Sequence, residues 1–171
     1  RGDEKKLNAL KGETMAVIAL CQFDLTRCFG YPYTKDKGAS LGAPLIDHLV
    51  GTYENPPRST VAQAYDFIIE TLEEAVTLMS EEKNNGRMNK YAARALLARI
   101  YLYHDDNRKA FDLADQLIKD ADTSGSYALY PHEKYVAAWS VEAKFGSESF
   151  FEIANSVDDT PGRDSWGYLL N

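Results

Sequence analysis

The chain is short of sulfur, of basic charge and of long apolar runs. Two of its 171 residues are cysteine, Cys21 and Cys28. They fall two turns apart in a helical pattern, about 10 Å along the axis, which is too far for a disulfide between them. Both are expected to be free and buried. No CxxC or other metal-ligand spacing is present. No stretch approaches the roughly 20 apolar residues that cross a bilayer. The start carries no initiating methionine, no apolar leader and no cysteine for lipid attachment, so the chain reads as the middle of something longer. Lys and Arg number 19 against 26 Asp and Glu, a net charge of -7 with no basic run. Such a surface repels a phosphate backbone, and nucleic acid is not an expected partner.

The sequence also lacks catalytic signatures. GxSxG, a Walker glycine loop and GxGxxG after a strand are all missing. His48, His104 and His132 stand on separate elements without HExxH or HxH spacing, which favours structural or surface roles. Asp105-Asp106-Asn107 and Asp158-Asp159-Thr160 begin like calcium loops, yet neither continues with the required Gly and Glu. Glu152 lies between Phe151 and Ile153; on a strand it would face away from both, outward to solvent. The chain therefore reads as a non-enzyme with no cofactor and no metal.

What is present is enough for one domain with a core, residues 1–171, since 44% of residues are hydrophobic and 12% aromatic. A first helix is expected from Asp3 to Cys28, its buried stripe made by Leu7, Leu10, Thr14, Val17, Ile18, Cys21, Leu25 and Phe29. Gly30 and Pro32 end it, and a long loop follows as far as Pro56-Pro57. A second helix opens at Ser59-Thr60, where Thr60 and Gln63 have capping-box spacing. It buries Tyr65, Ile68, Ile69, Leu72, Ala75, Val76 and Met79, and stops before Asn84-Asn85-Gly86.

Residues 88–121 then form two helices joined by a short polar turn, with Leu97, Ala98 and Tyr101 on one arc and Ala110 nine positions beyond Tyr101. This is tetratricopeptide spacing, although Arg94 and Ala114 stand where the signature has aromatic residues. The second helix should bury Ala110, Leu113, Ala114, Leu117, Ile118 and Ala121. The predicted fold is mainly all-α, a tetratricopeptide-like superhelix with long loops. Residues 122–171 are irregular: Tyr127–Pro131 and Ser149–Ile153 read as short extended segments, with a short helix near Lys134–Val141. Aromatic residues in polar loops suit sugar rings, which combine apolar faces with polar edges. Tyr31, Tyr33, Trp166 and Tyr168 are the candidate ligand-binding residues on that ground.

The order of these pieces resembles the SusD/RagB family. The run from Ala16 to Tyr33, Gly42-Ala43-Pro44-Leu45, Pro57-Arg58-Ser59-Thr60-Val61, Gly86-Arg87-Met88-Asn89-Lys90, the helix from Ala92 to Leu102 and Glu148-Ser149-Phe150-Phe151-Glu152-Ile153 follow the family collinearly. The resemblance implies a surface-exposed lipoprotein of the outer membrane that binds glycans or other nutrients without catalysis and partners a SusC-like TonB-dependent transporter. Contact with the membrane would be only through a lipid anchor that this chain lacks. Taken alone, the helix hairpin equally fits a tetratricopeptide module that binds a peptide partner.

Overall fold

The computed structural model describes residues 2–140 and 144–153. Helices α1 (Glu4–Phe29), α2 (Val61–Leu78), α3 (Lys90–Tyr103) and α4 (Asn107–Ser124) follow one another, and each packs on the next. Between α1 and α2, strands β1 (Leu41–Pro44) and β2 (Arg58–Thr60) pair antiparallel. A short helix α5 (His132–Tyr135) and a 3-10 turn at Ala137–Trp139 lie beyond α4. Among the described residues no helix is long and apolar enough to cross a membrane.

Local chemistry sets these boundaries. The side chains of Asp3, Thr60, Asn89 and Asp106 cap α1 to α4 by accepting backbone N–H bonds, from Lys5, Gln63, Ala92 and Lys109 respectively. At α2 the capping box is complete, because the Thr60 N–H also donates to Gln63 Oε1 at 2.9 Å. The hairpin turn runs through Asp105, whose φ of 68° is left-handed, and Gly125 ends α4 in the same conformation.

The first helix is turned the other way from its expected orientation. Its buried residues are Gly12, Ala16, Ala19, Gln22, Phe23 and Thr26. The large stripe faces out, with Leu7 and Phe29 each 65% exposed, and Cys21 and Cys28 are free but exposed rather than buried. The cause is close approach to α2. A Cβ on Gly12 would sit 2.7 Å from Met79 Cγ and 2.9 Å from the Ala75 carbonyl oxygen, so the contact requires the small face. Both faces of α1 are apolar enough for burial, and periodicity cannot choose between them.

Most of the remaining expectations hold. Tyr65, Ile68, Leu72, Ala75 and Met79 are buried along α2, but the helix stops at Leu78, where the Met79 backbone becomes extended, well before Asn84. In the hairpin Leu97, Ala98, Tyr101 and Ala110 are buried as the spacing requires. Arg94 replaces an aromatic filler by reaching across to α4, where its Nη1 lies 2.7 Å from Asp120 Oδ2. Ile118 turns outward, 67% exposed, while Leu117 and Ala121 take the inner face. Phe23, Ile68, Leu72 and Ile100 are the largest apolar side chains fully buried, each stabilising the fold by about 1.5–3 kcal/mol.

The long loop is partly ordered by Arg58. Its guanidinium donates to the carbonyls of Gly42 at 2.7 Å, Leu41 at 3.0 Å and Phe29 at 3.3 Å, clipping β1 to β2 and to the end of α1. The Ser59 hydroxyl donates to Ala43 O, and Gln22 Nε2 donates to Pro44 O from within α1. The motif from Pro57 to Val61 is thus a structural clip.

Candidate functional site

The aromatic residues singled out in the loops have separate fates. Tyr31 is 58% exposed, and the Lys35 ammonium lies 3.0 Å from its ring centroid. Tyr33 is half-buried, its ring 4.2 Å from His104 and 5.6 Å from Tyr65. It belongs to an aromatic cluster at the α1–α2–α3 junction, where burial pushes the Tyr65 hydroxyl up to about 12. Trp166 and Tyr168 lie outside the described residues, as do Asp158 and Asp159. Tyr31 and Tyr33, two positions apart in sequence, do not present their rings together.

A cleft does form in the irregular part after Gly125. Tyr127–Pro131 and Ser147–Ile153 run side by side, joined by the Ala128 N–H donating to Ser147 O at 3.1 Å. They form no strand ladder, so the expected extended pair is an irregular one. Phe150 anchors it, stacked on Tyr91 with centroids 6.4 Å apart and tilted against Tyr127 at 4.7 Å. Asn89 ties the same place to α3: it is buried, caps the helix with its side-chain oxygen and donates from Nδ2 to the Tyr127 hydroxyl at 2.7 Å.

Two carboxylates hold the chain in shape. Glu148 Oε1 accepts from the Tyr130 N–H at 2.8 Å, and Glu152 Oε2 accepts from the Phe145 N–H at 3.0 Å. Glu152 is therefore a half-buried loop tie, not the outward strand residue that alternation with its neighbours predicts. Lys83 closes the arrangement by donating to Gly146 O at 2.7 Å while lying over the Tyr127 ring. Burial lowers the Lys83 pKa, and the nearby Glu152 charge opposes that shift. A Cβ on Gly146 would fall 1.5 Å from the Tyr130 hydroxyl oxygen, so any other residue here must push the Tyr130 side chain aside.

The resulting cleft has a volume of about 500 Å³ and is lined by Tyr130, Trp139, Ser140, Glu148, Ser149 and Glu152. Trp139 is 76% exposed at its mouth, and the Tyr135 ring meets the indole edge-on at 6.1 Å. Sequence reasoning placed Trp139 in a short helix and gave it no ligand role. The available signal was an indole in a segment without apolar periodicity.

The model of a family described as "Starch-binding associating with outer membrane" matches residues 1–102. The chain belongs to the SusD family. Among solved structures, a SusD superfamily protein from Bacteroides vulgatus is 99% identical with a TM-score of 0.95, covering 100% of this chain and 38% of its own. A SusD superfamily protein from Bacteroides thetaiotaomicron is 40% identical with a TM-score of 0.86, over 93% of this chain and 34% of its own. A SusD-like carbohydrate-binding protein from Bacteroides vulgatus is 25% identical with a TM-score of 0.78, over 94% of this chain and 33% of its own. The chain thus spans little more than a third of the length of these relatives. A comparison with curated proteins returns no match. SusD proteins are a binding family associated with the outer membrane and with carbohydrate, and the helical architecture described above is theirs.

Proposed function

We propose that this chain, as one domain of the longer SusD-type protein, helps capture an oligosaccharide at the cell surface and pass it, uncleaved, to a SusC-like TonB-dependent transporter. The protein would be held at the outer membrane by a lipid anchor. The observation that carries this reading is the family match, joined to a rigid helical frame that presents aromatic side chains on irregular loops. Binding constellations are commonly arranged this way, with variable loops positioned by a fixed scaffold.

Glu148 and Glu152 each accept a backbone N–H, so both have a part in shaping the loop. The peptide-binding alternative is weakened by its own requirements. It expects polar, often basic, residues along the groove, whereas Lys90 pairs with Glu81 at 3.2 Å and Arg94 with Asp120 at 2.7 Å. Tyr31 stays a candidate contact because its side chain is exposed, although the Lys35 ammonium covers one face of the ring, and Trp166 and Tyr168 stay candidates by composition.

The test is a calorimetric titration of the full-length protein with maltoheptaose and other neutral oligosaccharides, with affinity capture of its membrane partners from the parent cell. Saturable binding and co-capture of a TonB-dependent barrel are expected. Absence of binding to every neutral oligosaccharide, or release of shorter products, would overturn the proposal.

A further inference from the structure

We infer that Asn85 is a site of spontaneous deamidation, its side-chain amide attacked by the backbone nitrogen of Gly86. This chemistry is separate from ligand binding and follows from a dipeptide and the turn that carries it.

Asn85-Gly86 is the one Asn-Gly pair in the sequence. It sits between α2 and α3, at the centre of a reverse turn closed by the Arg87 N–H donating to Asn84 O at 3.0 Å. Gly86 has a φ of 77° while Asn85 stays outside the left-handed region, which makes this a type II turn with glycine at its third position. Glycine carries no Cβ beside its nitrogen, so a neighbouring side chain can approach that atom unhindered. The turn's hydrogen bond joins Arg87 to Asn84 and leaves the Gly86 nitrogen out of it. No helical ladder restrains the pair, since α2 ends at Leu78 and α3 begins at Lys90.

The reaction needs only water. The Gly86 nitrogen gives its proton to hydroxide and attacks Asn85 Cγ. The N–Cγ bond forms, the Cγ–Nδ2 bond breaks, and Nδ2 takes a proton and leaves as ammonia. Water then opens the cyclic imide at either carbonyl. Cleavage of the new N–Cγ bond gives aspartate; cleavage of the original peptide bond to Gly86 gives isoaspartate, whose backbone runs through the former side chain and is longer by a methylene.

The other described asparagines lack one of these conditions. Asn55 precedes Pro56, whose nitrogen has no proton to lose. Asn8 and Asn107 lie in α1 and α4, where the helix fixes the backbone. Asn89 is buried, with Oδ1 accepting from the Ala92 N–H and Nδ2 donating to the Tyr127 hydroxyl. Asn84 is followed by Asn85, whose Cβ crowds the attacking nitrogen.

The turn is also a junction, so the modification has a structural effect. The Phe145 ring lies against it, its Cε1 3.5 Å from where a Gly86 Cβ would stand. Lys83 on one side donates to Gly146 O, and Arg87 on the other donates from Nε to Glu13 Oε2 of α1 at 2.9 Å. An added methylene upsets the spacing between Asn84 O and the Arg87 N–H, and residues 144–153 should loosen where Phe145 and Gly146 meet the turn.

The test ages the full-length protein and its Asn85→Gln variant at mildly alkaline pH beside a denatured sample. Peptide mapping by mass spectrometry, with enzymatic detection of isoaspartate, follows the conversion, and hydrogen exchange is measured on the aged protein. The variant's longer side chain would have to close a larger ring, which is slower. Expected is loss of the native peptide at Asn85, with fragmentation assigning the mass gain to that residue and isoaspartate among the products, while peptides carrying Asn8, Asn89 and Asn107 remain intact. Asn85→Gln should abolish the gain, and exchange in residues 144–153 should accelerate only in the aged native protein. An Asn85 that stays intact in the native protein, whether or not the denatured sample converts, would overturn the site. Conversion with unchanged exchange in residues 144–153 would overturn the loosening and leave the site standing.

Discussion

The helical body and the irregular segment from Gly125 onward are ordered by different means. In the body, α1 to α4 bury apolar faces, and Phe23, Ile68 and Ile100 vanish from solvent. The segment is anchored by three aromatic residues, the buried Tyr127 and the half-buried Phe150 and Phe151, and by a handful of polar ties from Glu148, Glu152, Asn89 and Lys83. Burial of this kind makes the body a fixed frame. Ties of this kind hold a loop in shape without demanding any particular sequence in the rest of it, which leaves Trp139 free to meet solvent. The separation lets loop residues vary while the frame stays intact.

That contrast can be broken by substitution. The largest effect should come from Phe23→Ala, which empties a fully buried site and should cost about 3–5 kcal/mol in chemical denaturation. Phe150→Ala should cost less, about 2 kcal/mol, because the ring is only half-buried. Its signature should be local: hydrogen exchange accelerates through residues 126–140 and 144–153 while the α1–α2 amides stay protected. Equal acceleration in both regions would mean that the two are one cooperative unit and the contrast is false.

Gly146→Ala should be smaller still in stability. The new Cβ must displace the Tyr130 side chain, so tyrosine fluorescence should report the shift while the melting midpoint moves little. Glu152→Ala leaves the Phe145 N–H without its acceptor and should cost about 1 kcal/mol, with Glu152→Gln recovering most of it because an amide oxygen still accepts.

The smallest effect concerns the exposed loop of residues 45–57. His48 is held by hydrogen bonds to Asp47 and to Glu54, each at 2.6 Å, and these raise its pKa. A raised folded-state pKa gives a contribution that is complete below the unfolded value, about 6.5, and is lost as pH rises through the folded value. The loop should therefore loosen on the alkaline side, read as faster proteolytic nicking. His48→Gln should remove that dependence without changing the body.

Much of the frame was legible from sequence, and the reasons differ by element. The hairpin was clear because Leu97, Ala98, Tyr101 and Ala110 hold positions that only one packing satisfies. The Thr60 and Gln63 box was clear because capping is local. Helix α1 was misread because two apolar faces compete, and the winner is decided by how closely Gly12 approaches Ala75 on another helix. Glu152 was misread for a related reason. Alternation implies a strand, whereas its partner is a backbone N–H seven residues away in a fold with no ladder there.

The most direct test of the central claim is a calorimetric titration of the full-length protein with neutral oligosaccharides, followed by chromatography of the recovered ligand. A saturable isotherm with the oligosaccharide returned at its original length is the predicted result. A flat isotherm across the panel, or recovery of shortened sugar, would contradict the account.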